Sequence, residues 1–310
     1  MKKILITGCS GLVGTHLVKK CIGLGYDVVG VDLYRSKYLP LDGWSFIEAD
    51  LIKSNVIENI FSSNKFNAVF NTFGIKGSPL KAKNSPVDFL YPSFKINTEI
   101  INQCAKQDIW LVFVSSVGVY APAEVFIEDT VWKTLPSEAD WYPSWSKRMG
   151  EILLGAYKVQ YDYNKWSIIR PANIFGEYDD FSGFGTVIAS TIKKVAEAKN
   201  EIVCWGDGSP IRDFVYAGDV ADAIIKMYTN QINDIVNFGS GIEISIKEIV
   251  DNIASISGKD LDIKWDTSKP NGDLKRLMDI TKQAHYNTLP TKSFIVRLKE
   301  VYEFYTNSSR

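Results

Sequence analysis

A glycine-rich segment at residues 2–14 constrains the fold of this chain more than any other feature. The apolar run Ile4-Leu5-Ile6 leads into Gly8, Gly11 and Gly14, and an amphipathic helical pattern follows. Glycine is needed where a strand turns sharply into a helix and where backbone approaches a pyrophosphate. The helix start presents N–H groups and a positive dipole end to such a group. The spacing therefore predicts a dinucleotide-binding turn, the alternative being a glycine-rich turn without a ligand.

An acidic residue follows at the distance expected for a ribose contact. A second β-type run at 26–31 ends in Asp32, which lies 18 residues after Gly14. In dinucleotide sites a carboxylate about 20 residues further on accepts hydrogen bonds from the ribose hydroxyls. Its charge would repel a 2′-phosphate, whereas Arg35 would pair with one unless it is a solvated loop cation. We expect NAD, with NADP as the alternative.

The bulk composition excludes several classes of protein. The 310 residues include 35 Lys and Arg against 36 Asp and Glu, a balance that attracts neither nucleic acid nor an anionic membrane. No apolar run approaches the roughly 20 residues that span a bilayer, and no signal-peptide core follows Met1. Four scattered cysteines indicate a reduced, cytoplasmic protein without disulfides. With two histidines and no paired cysteines, we expect no metal site.

Strand-like and helix-like segments alternate along the first 240 residues. Near-continuous apolar strands with helical spacers indicate a parallel sheet that is covered on both faces. After the first strand, the predicted strands are 26–31, 44–50, 68–72, 110–116, 167–171 and 235–238. After the helix of the glycine turn, the predicted helices are 95–107, 144–162, 185–198 and 217–229.

We therefore predict an α/β fold, a Rossmann-type doubly wound parallel sheet with a smaller C-terminal lobe that binds the substrate. The expected dinucleotide-binding domain comprises residues 1–170 and about 213–240. The expected substrate lobe comprises about 171–212 and 241–310.

Short motifs follow one another in a fixed order along nearly the whole chain. They are Thr7-Gly8-x-x-Gly11-x-x-Gly14, Asp50-Leu51, Asn71-Thr72-Phe73-Gly74, Ser115-Ser116-x-x-Val119-Tyr120, Arg170-Pro171-Ala172-Asn173, Trp205-Gly206-Asp207-Gly208 and Arg212-Asp213-Phe214-Val215. This ordered set resembles the extended short-chain dehydrogenase/reductases, the NAD-dependent family of nucleotide-sugar epimerases, dehydratases and reductases. Within the family, Lys269-Pro270-Asn271-Gly272 followed by Lys275-Arg276-Leu277-Met278-Asp279 looks most like the GDP-fucose synthases, which are GDP-4-keto-6-deoxymannose epimerase-reductases.

The resemblance implies a part for each motif. The implied cofactor contacts are Gly8, Ser10, Gly11, Leu12, Val13, Gly14, Asp32, Asp50, Leu51, Phe73, Gly74, Lys147 and Arg170. The implied contacts to a nucleotide-sugar substrate are Ser116, Asn173, Arg212, Lys269 and Arg276. Arg212 is the candidate to clamp the diphosphate, because a guanidinium fork matches phosphate oxygens, unless it pairs with Asp213 or Asp219 instead.

The resemblance also implies a homodimer joined through the helices predicted at 95–107 and 144–162. Their apolar residues would suit a four-helix interface, but packing within one subunit would require much of the same content. These residues are Ile96, Ile100, Ile101, Ile152, Leu153 and Tyr157.

The expected catalytic group departs from the family's pattern. The family places a tyrosine acid/base four residues before a lysine, on one helix face, with a serine nearby. Ser116 and Lys147 fit the serine and the lysine, but Pro143 holds the tyrosine position and Tyr142 lies one residue earlier. Five residues correspond to about 500° of rotation, so Tyr142 and Lys147 share no face of a continuous helix. Either Tyr142 precedes the helix and swings into the site, or it packs among the neighbouring tryptophans without catalytic function.

A second departure concerns epimerisation. GDP-fucose synthases use a cysteine two residues after the serine and a histidine in a later loop to move protons next to the ketone. Here Gly118 holds the cysteine position and the loop 181–187 has no histidine. We expect hydride transfer at C4 alone, by a 4-keto reductase or an epimerase that oxidises and re-reduces, for surface-polysaccharide sugars. The alternative is a catalytically degenerate protein that binds NAD or a nucleotide sugar on the same fold.

Overall fold

The computed structural model describes residues 1–75, 84–182, 185–269, 271 and 273–308. The strands are β1 (Lys3–Thr7), β2 (Asp27–Asp32), β3 (Ser45–Glu48), β4 (Ala68–Asn71), β5 (Trp110–Val114), β6 (Val125–Phe126), β7 (Trp166–Pro171), β8 (Asn173–Phe175), β9 (Glu201–Trp205), β10 (Ile211–Arg212), β11 (Phe214–Tyr216), β12 (Ile235–Phe238), β13 (Ile244–Ser245), β14 (Asp262–Asp266) and β15 (Lys275–Met278). The α-helices are α1 (Leu12–Gly23), α2 (Val56–Ser62), α3 (Pro86–Lys106), α4 (Trp141–Tyr161), α5 (Val187–Glu197), α6 (Ala217–Thr229), α7 (Ile246–Ser257), α8 (Thr281–His285) and α9 (Phe294–Ser308).

The central sheet has seven strands in the order β12-β7-β5-β4-β1-β2-β3, and all of its pairings are parallel. Strands β4, β5 and β7 are buried along their whole length, because helices cover both faces. The chain order reverses between β1 and β4, so the connections after these two strands diverge and leave a crevice at their carboxyl ends. The predicted Rossmann-type fold is confirmed.

Shorter strands in the second half of the chain form smaller sheets. The orders are β13-β10-β15-β6, β14-β9 and β11-β8. A separate apolar cluster, which includes Ile192, Ile249 and Leu298, joins helices α5, α7 and α9. Strand β12 returns to the central sheet beside β7, as the sequence predicted. The division into two domains stays a prediction, since β11, placed with the dinucleotide domain, pairs with β8 of the expected lobe.

Two helices begin earlier than predicted. Helix α3 starts at Pro86 rather than residue 95, with Pro92 inside it, and α4 starts at Trp141 rather than residue 144. Pro86 lies in the first turn, where a missing N–H costs nothing. The three isoleucines of α3 named above are buried in the subunit's own core. Within the described ranges, no helix is both long and apolar enough to cross a membrane.

Candidate active site at the carboxyl ends of the central strands

The glycine turn between β1 and α1 forms a cradle lined by backbone. Gly8 has a φ of +69°, and a Cβ there would lie 3.2 Å from the backbone of Phe73, which follows β4. A Cβ on Gly14 would lie 2.1 Å from the Gly8 carbonyl oxygen. Gly11 caps α1 without a side chain, so the first N–H groups of the helix face outward. Side chains would fill this space, and the cradle fits a pyrophosphate group.

Asp32 closes the other side of this turn. Its carboxylate accepts the N–H of Ser10 at 2.9 Å and of Leu33 at 2.8 Å, one on each oxygen. Burial raises the pKa of Asp32, against the lowering effect of these two hydrogen bonds. Each oxygen keeps one further acceptor site, which suits a ribose diol. The Ser10 hydroxyl donates to the Tyr34 carbonyl and accepts the Ser36 N–H, so the turn and the loop after β2 are tied together.

Arg35 is held within its own loop. Its guanidinium donates to the Pro40 carbonyl and lies over the Trp44 ring, 5.2 Å from the centroid. The structure therefore gives Arg35 a local structural contact.

The other predicted cofactor contacts lie around the crevice. Leu12 and Val13 are buried in the first turn of α1. Asp50 accepts the Ile52 N–H, and Leu51 is buried in the same apolar cluster against which Phe73 packs. Gly74 is exposed.

Lys147 projects from α4 to the crevice. Its Nζ donates to the carbonyl oxygens of Phe73 and Val114, both at 2.8 Å, and lies 5.0 Å from the centroid of the Phe113 ring. Burial lowers the pKa of Lys147 to about 8, against a smaller raising effect of Glu151. The cation is therefore fixed where β4 and β5 end, next to the glycine turn.

Ser116 stands two residues beyond β5 and caps a short turn of 3-10 helix, Val117–Val119. Its Oγ accepts the Gly118 N–H at 3.1 Å, which leaves the hydroxyl hydrogen free to donate. Ser144 Oγ donates to the Gly118 carbonyl at 2.6 Å. A Cβ on Gly118 would lie only 2.8 Å from the same Ser144 Oγ. The space that a side chain at this position would need is occupied by Ser144 and Asp140.

Tyr142 lies inside the first turn of α4, and the helix runs without interruption from Trp141 through Lys147. The alternative in which Tyr142 precedes the helix is therefore wrong. Pro143 is the residue one turn before Lys147 on the same face. Trp141 and Trp145 pack edge to face with ring centroids 5.8 Å apart. Tyr142, between them in the sequence, is half-buried.

Arg170, predicted to contact the cofactor, has a fully buried side chain. It forms a two-pronged ion pair with Glu151, at 3.0 and 2.6 Å, and donates to Tyr120 Oη and to the Glu128 carbonyl, each at 2.9 Å. Ser115 Oγ donates to the same Glu151 carboxylate at 2.5 Å. The guanidinium thus reaches no surface of the crevice, and it supports α4 and β5 from within. Sequence reasoning missed Glu151, although its position four residues after Lys147 places it on the same face.

Arg212 and Arg276 are directly paired in the parallel strands β10 and β15. Arg276 is neutralised by Asp140 at 2.7 Å and Asp273 at 2.5 Å. In contrast, Arg212 donates to the carbonyl of Ile211, and no carboxylate among the described residues pairs with it. Burial and the neighbouring Arg276 lower its pKa to about 10.

The alternative pairing of Arg212 with Asp213 or Asp219 is wrong. Asp213 accepts from Ser240, and Asp219 pairs with Arg297 at 2.6 Å. The half-buried guanidinium of Arg212 therefore retains most of its donors for a ligand.

The remaining predicted substrate contacts lie on the same lobe. The Asn173 amide donates to the Asp213 carbonyl at 3.0 Å, which leaves its own carbonyl oxygen for a ligand. Lys269 is exposed and lies 5.8 Å from the centroid of the Trp205 ring. Pro270 and Gly272 of the motif around Lys269, and Gly183 and Phe184 of the histidine-free loop, lie outside the described residues.

Comparisons with known proteins bear on the family and on the fold of the chain. Residues 4–239 match the sequence profile of the NAD dependent epimerase/dehydratase family. The chain is similar to a putative GDP-L-fucose synthase 2 of Arabidopsis thaliana, at 28% identity over 98% of this chain and 91% of that protein. It is 30% identical to a putative UDP-glucose 4-epimerase of Methanocaldococcus jannaschii, over 99% of both. The crystal structure of Thermus thermophilus UDP-glucose 4-epimerase in complex with NAD superimposes with a TM-score of 0.85, at 22% identity over 98% of each chain.

Proposed function

The chain belongs to the NAD dependent epimerase/dehydratase family, and on that premise we propose that it transfers hydride at one ring carbon of a nucleotide-activated sugar. One observation carries the proposal. A buried cation, Lys147, stands beside the glycine turn at one end of the crevice, and an unpaired guanidinium, Arg212, stands on the second lobe. The first suits redox chemistry beside a nicotinamide, and the second suits the diphosphate of a sugar nucleotide.

The residues of the glycine turn would hold the cofactor. The first N–H groups of α1 face its pyrophosphate and Asp32 its adenosine ribose. When bound, the nicotinamide supplies or takes up a hydride. Because Arg35 is engaged within its loop and Asp32 carries the charge, we propose NAD rather than NADP.

The second lobe would hold the substrate. Arg212 would bind the diphosphate. The side-chain carbonyl oxygen of Asn173 would accept a hydrogen bond from the sugar, and the Ser116 hydroxyl would donate one to it. Lys269 and Trp205 would lie on the nucleotide side. Arg276 contributes by holding Asp140 and Asp273, which keeps the lobe against the start of α4.

We assign redox at C4 without epimerisation at C3 or C5. Gly118 has no room for a proton-carrying side chain while Ser144 and Asp140 hold their places. We propose that the product is a sugar for a surface polysaccharide and that the protein acts in the reducing cytoplasm. The four buried free thiols are consistent with that compartment.

A catalytically degenerate binding protein is the second candidate. The observation that favours it is Pro143, whose side chain has no acid/base group, at the position one turn before Lys147. Such a protein would bind NAD(H) and a nucleotide sugar without turnover.

A homodimer through α3 and α4 completes the proposal. An apolar groove of about 440 Å³ on these helices is lined by Val87, Leu90, Tyr91, Phe94, Trp145 and Met149. Val87 and Tyr91 are 70% and 53% exposed, which is unusual for a set of apolar side chains that lie together. The groove lies on the first half of α3, before the residues that the sequence indicated. Sedimentation of the wild type against Tyr91→Lys tests this interface, since the charge should leave a monomer.

The test of function begins with the purified protein. Its absorbance near 340 nm and the mass of any cofactor released on denaturation show whether NAD(H) is retained. It is then incubated with 4-keto and 4-hydroxy nucleotide sugars and with C4-deuterated NADH, and the products are analysed by mass spectrometry. Deuterium in the sugar supports the proposal. Binding of NAD(H) and nucleotide sugar, with neither deuterium transfer nor inversion at C4 by NMR, supports the degenerate alternative, and failure to bind either refutes both.

A further inference from the structure

We infer that Lys147 itself delivers the proton to the reacting sugar oxygen, in place of a tyrosine. This inference rests on the proposed function, and it assigns the acid/base within the same site. Reduction of a ring carbonyl needs one hydride at carbon and one proton at oxygen, and the protein must supply the second.

The hydrogen bonds of Lys147 leave one proton unassigned. An ammonium has three N–H donors, and two of them bind the carbonyl oxygens of Phe73 and Val114. After loss of one proton, the neutral amine still has two N–H groups, enough for both carbonyls. Lys147 can therefore change its protonation state without giving up a described hydrogen bond.

The proton balance is simple. In the reducing direction a bound reduced nicotinamide would supply the hydride that the carbonyl carbon gains, and the cofactor would be oxidised by that loss. The N–H bond of the ammonium breaks as the O–H bond of the sugar forms, and the electron pair stays on Nζ. The amine then regains a proton from solvent.

Other groups close to this point suit the task less well. Tyr142 is about 500° around α4 from Lys147 and so lies on a different face. Burial raises the pKa of Cys9, inside the glycine turn, to about 12. Asp32 is engaged on the ribose side of the turn. The Ser116 hydroxyl is free to donate a hydrogen bond, but a serine is too weak an acid to lose its proton near neutral pH.

The surroundings of Lys147 bring its titration close to neutral pH, where a general acid works best. It is faced by the main-chain carbonyls of Phe73, after β4, and of Val114, at the end of β5, and by the Phe113 ring, and burial lowers its pKa to about 8. Glu151, one turn further along α4, raises the pKa of Lys147 through its charge. Arg170 balances that charge through its ion pair with Glu151. In the reducing direction the rate should therefore fall as pH rises through about 8.

The first experiment needs no turnover. The apoprotein is labelled with acetic anhydride across pH 6–11, and the acylation of each lysine is measured by mass spectrometry, with the exposed Lys158 as internal reference. We expect the reactivity of Lys147 to rise with a midpoint near 8, well below that of an ordinary lysine. A midpoint for Lys147 equal to that of Lys158 overturns the inference even if the enzyme is active.

The second experiment uses variants with the best nucleotide-sugar substrate. Lys147→Arg keeps a cation and its donors but cannot release a proton near neutral pH, and we expect kcat to fall at least 100-fold while NADH binding, followed by fluorescence, is retained. Lys158→Arg, on the same helix, is the matched control. Tyr142→Phe should keep the alkaline fall in rate near pH 8. Loss of that fall in Tyr142→Phe, or activity of Lys147→Arg within tenfold of wild type, overturns the inference. Absence of hydride transfer by the wild type instead refutes the proposed function, which the acylation experiment does not depend on.

Discussion

The buried ion pair between Arg170 and Glu151 gives the sharpest test of how this site is supported. Arg170→Met removes the cation but keeps much of its volume, and among the described hydrogen bonds it leaves the Glu151 carboxylate, which is 1% exposed, only the one from the Ser115 hydroxyl. Breaking a buried pair by removal of one partner costs about 3–5 kcal/mol of unfolding free energy. With about 2.1 cal/mol/K of unfolding entropy per residue over 310 residues, the melting temperature should fall by about 5–8 °C.

The sign of the pH dependence distinguishes this cause from general loss of packing. In Arg170→Met the buried Glu151 carboxylate has lost its counter-charge, so its protonation is more favourable in the folded variant than in the unfolded chain. The folded variant then binds more protons than the unfolded chain, so its deficit relative to the wild type should shrink as pH falls from 8 to 5. A cavity would cost the same at both pH values.

The assay is urea unfolding followed by circular dichroism at both pH values, with one transition required for both proteins. Glu151→Leu combined with Arg170→Met is the control, because it removes the unpaired charge. We expect the double variant to be about 2 kcal/mol more stable than Arg170→Met. A deficit of less than about 1 kcal/mol, a deficit independent of pH, or a double variant no better than the single one would refute the reasoning.

Three further predictions concern the cradle and the second lobe. Gly14→Ala should abolish NAD(H) binding in equilibrium dialysis and lower the melting temperature, because its Cβ would lie 2.1 Å from the Gly8 oxygen, whereas Gly23→Ala at the open end of α1 should bind normally. Asp32→Asn should raise the ratio of NADPH to NADH affinity at least tenfold, because a neutral amide no longer repels a 2′-phosphate; an unchanged ratio counts against Asp32 as the deciding charge. Arg212→Met should weaken nucleotide-sugar binding at least 30-fold by calorimetry without loss of stability, while Arg276→Met should lose stability, because Asp140 and Asp273 lose their partner; equal behaviour of the two variants contradicts the assignment.

The fold was predictable because its signals are local. Apolar strands separated by helical spacers specify a parallel sheet, and the seven strands of the central sheet and three of the four helices with predicted ranges lie within a few residues of their predicted places. Helix α3 begins nine residues before its predicted start because Pro92 reads as a helix stop, although Phe89, Ser93 and Ile96 on either side of it are buried. The helices α2, α7, α8 and α9 were not predicted, although α7 has a clear apolar face that buries Ile249, Val250 and Ile253.

The site residues likewise separate into those that local spacing predicts and those that depend on distant partners. The glycine turn, Asp32 and Lys147 follow from spacing within single segments. The partner of Arg170 does not, because Glu151 comes from α4, and neither does Asp140, which precedes α4 and reaches Arg276 only in the folded chain. Asp273, three residues before Arg276, is the local exception. The sequence therefore showed two arginines as ligand candidates that ion pairs neutralise, and it left open the pairing of Arg212 with Asp213 or Asp219, which are engaged elsewhere.

The place of β12 in the central sheet has a consequence for how the chain is made. Strand β7 ends at Pro171, but the strand that covers its outer edge ends at Phe238. At about 5–20 residues per second, the ribosome needs about 3–13 s to deliver the missing segment. During that interval the edge of β7 is open to pairing with other chains, and Tyr120 lacks Asn237, the acceptor of its hydroxyl. A chain truncated before residue 235 should therefore aggregate rather than fold into a cofactor-binding domain. Chaperones should bind most strongly to nascent chains of that length.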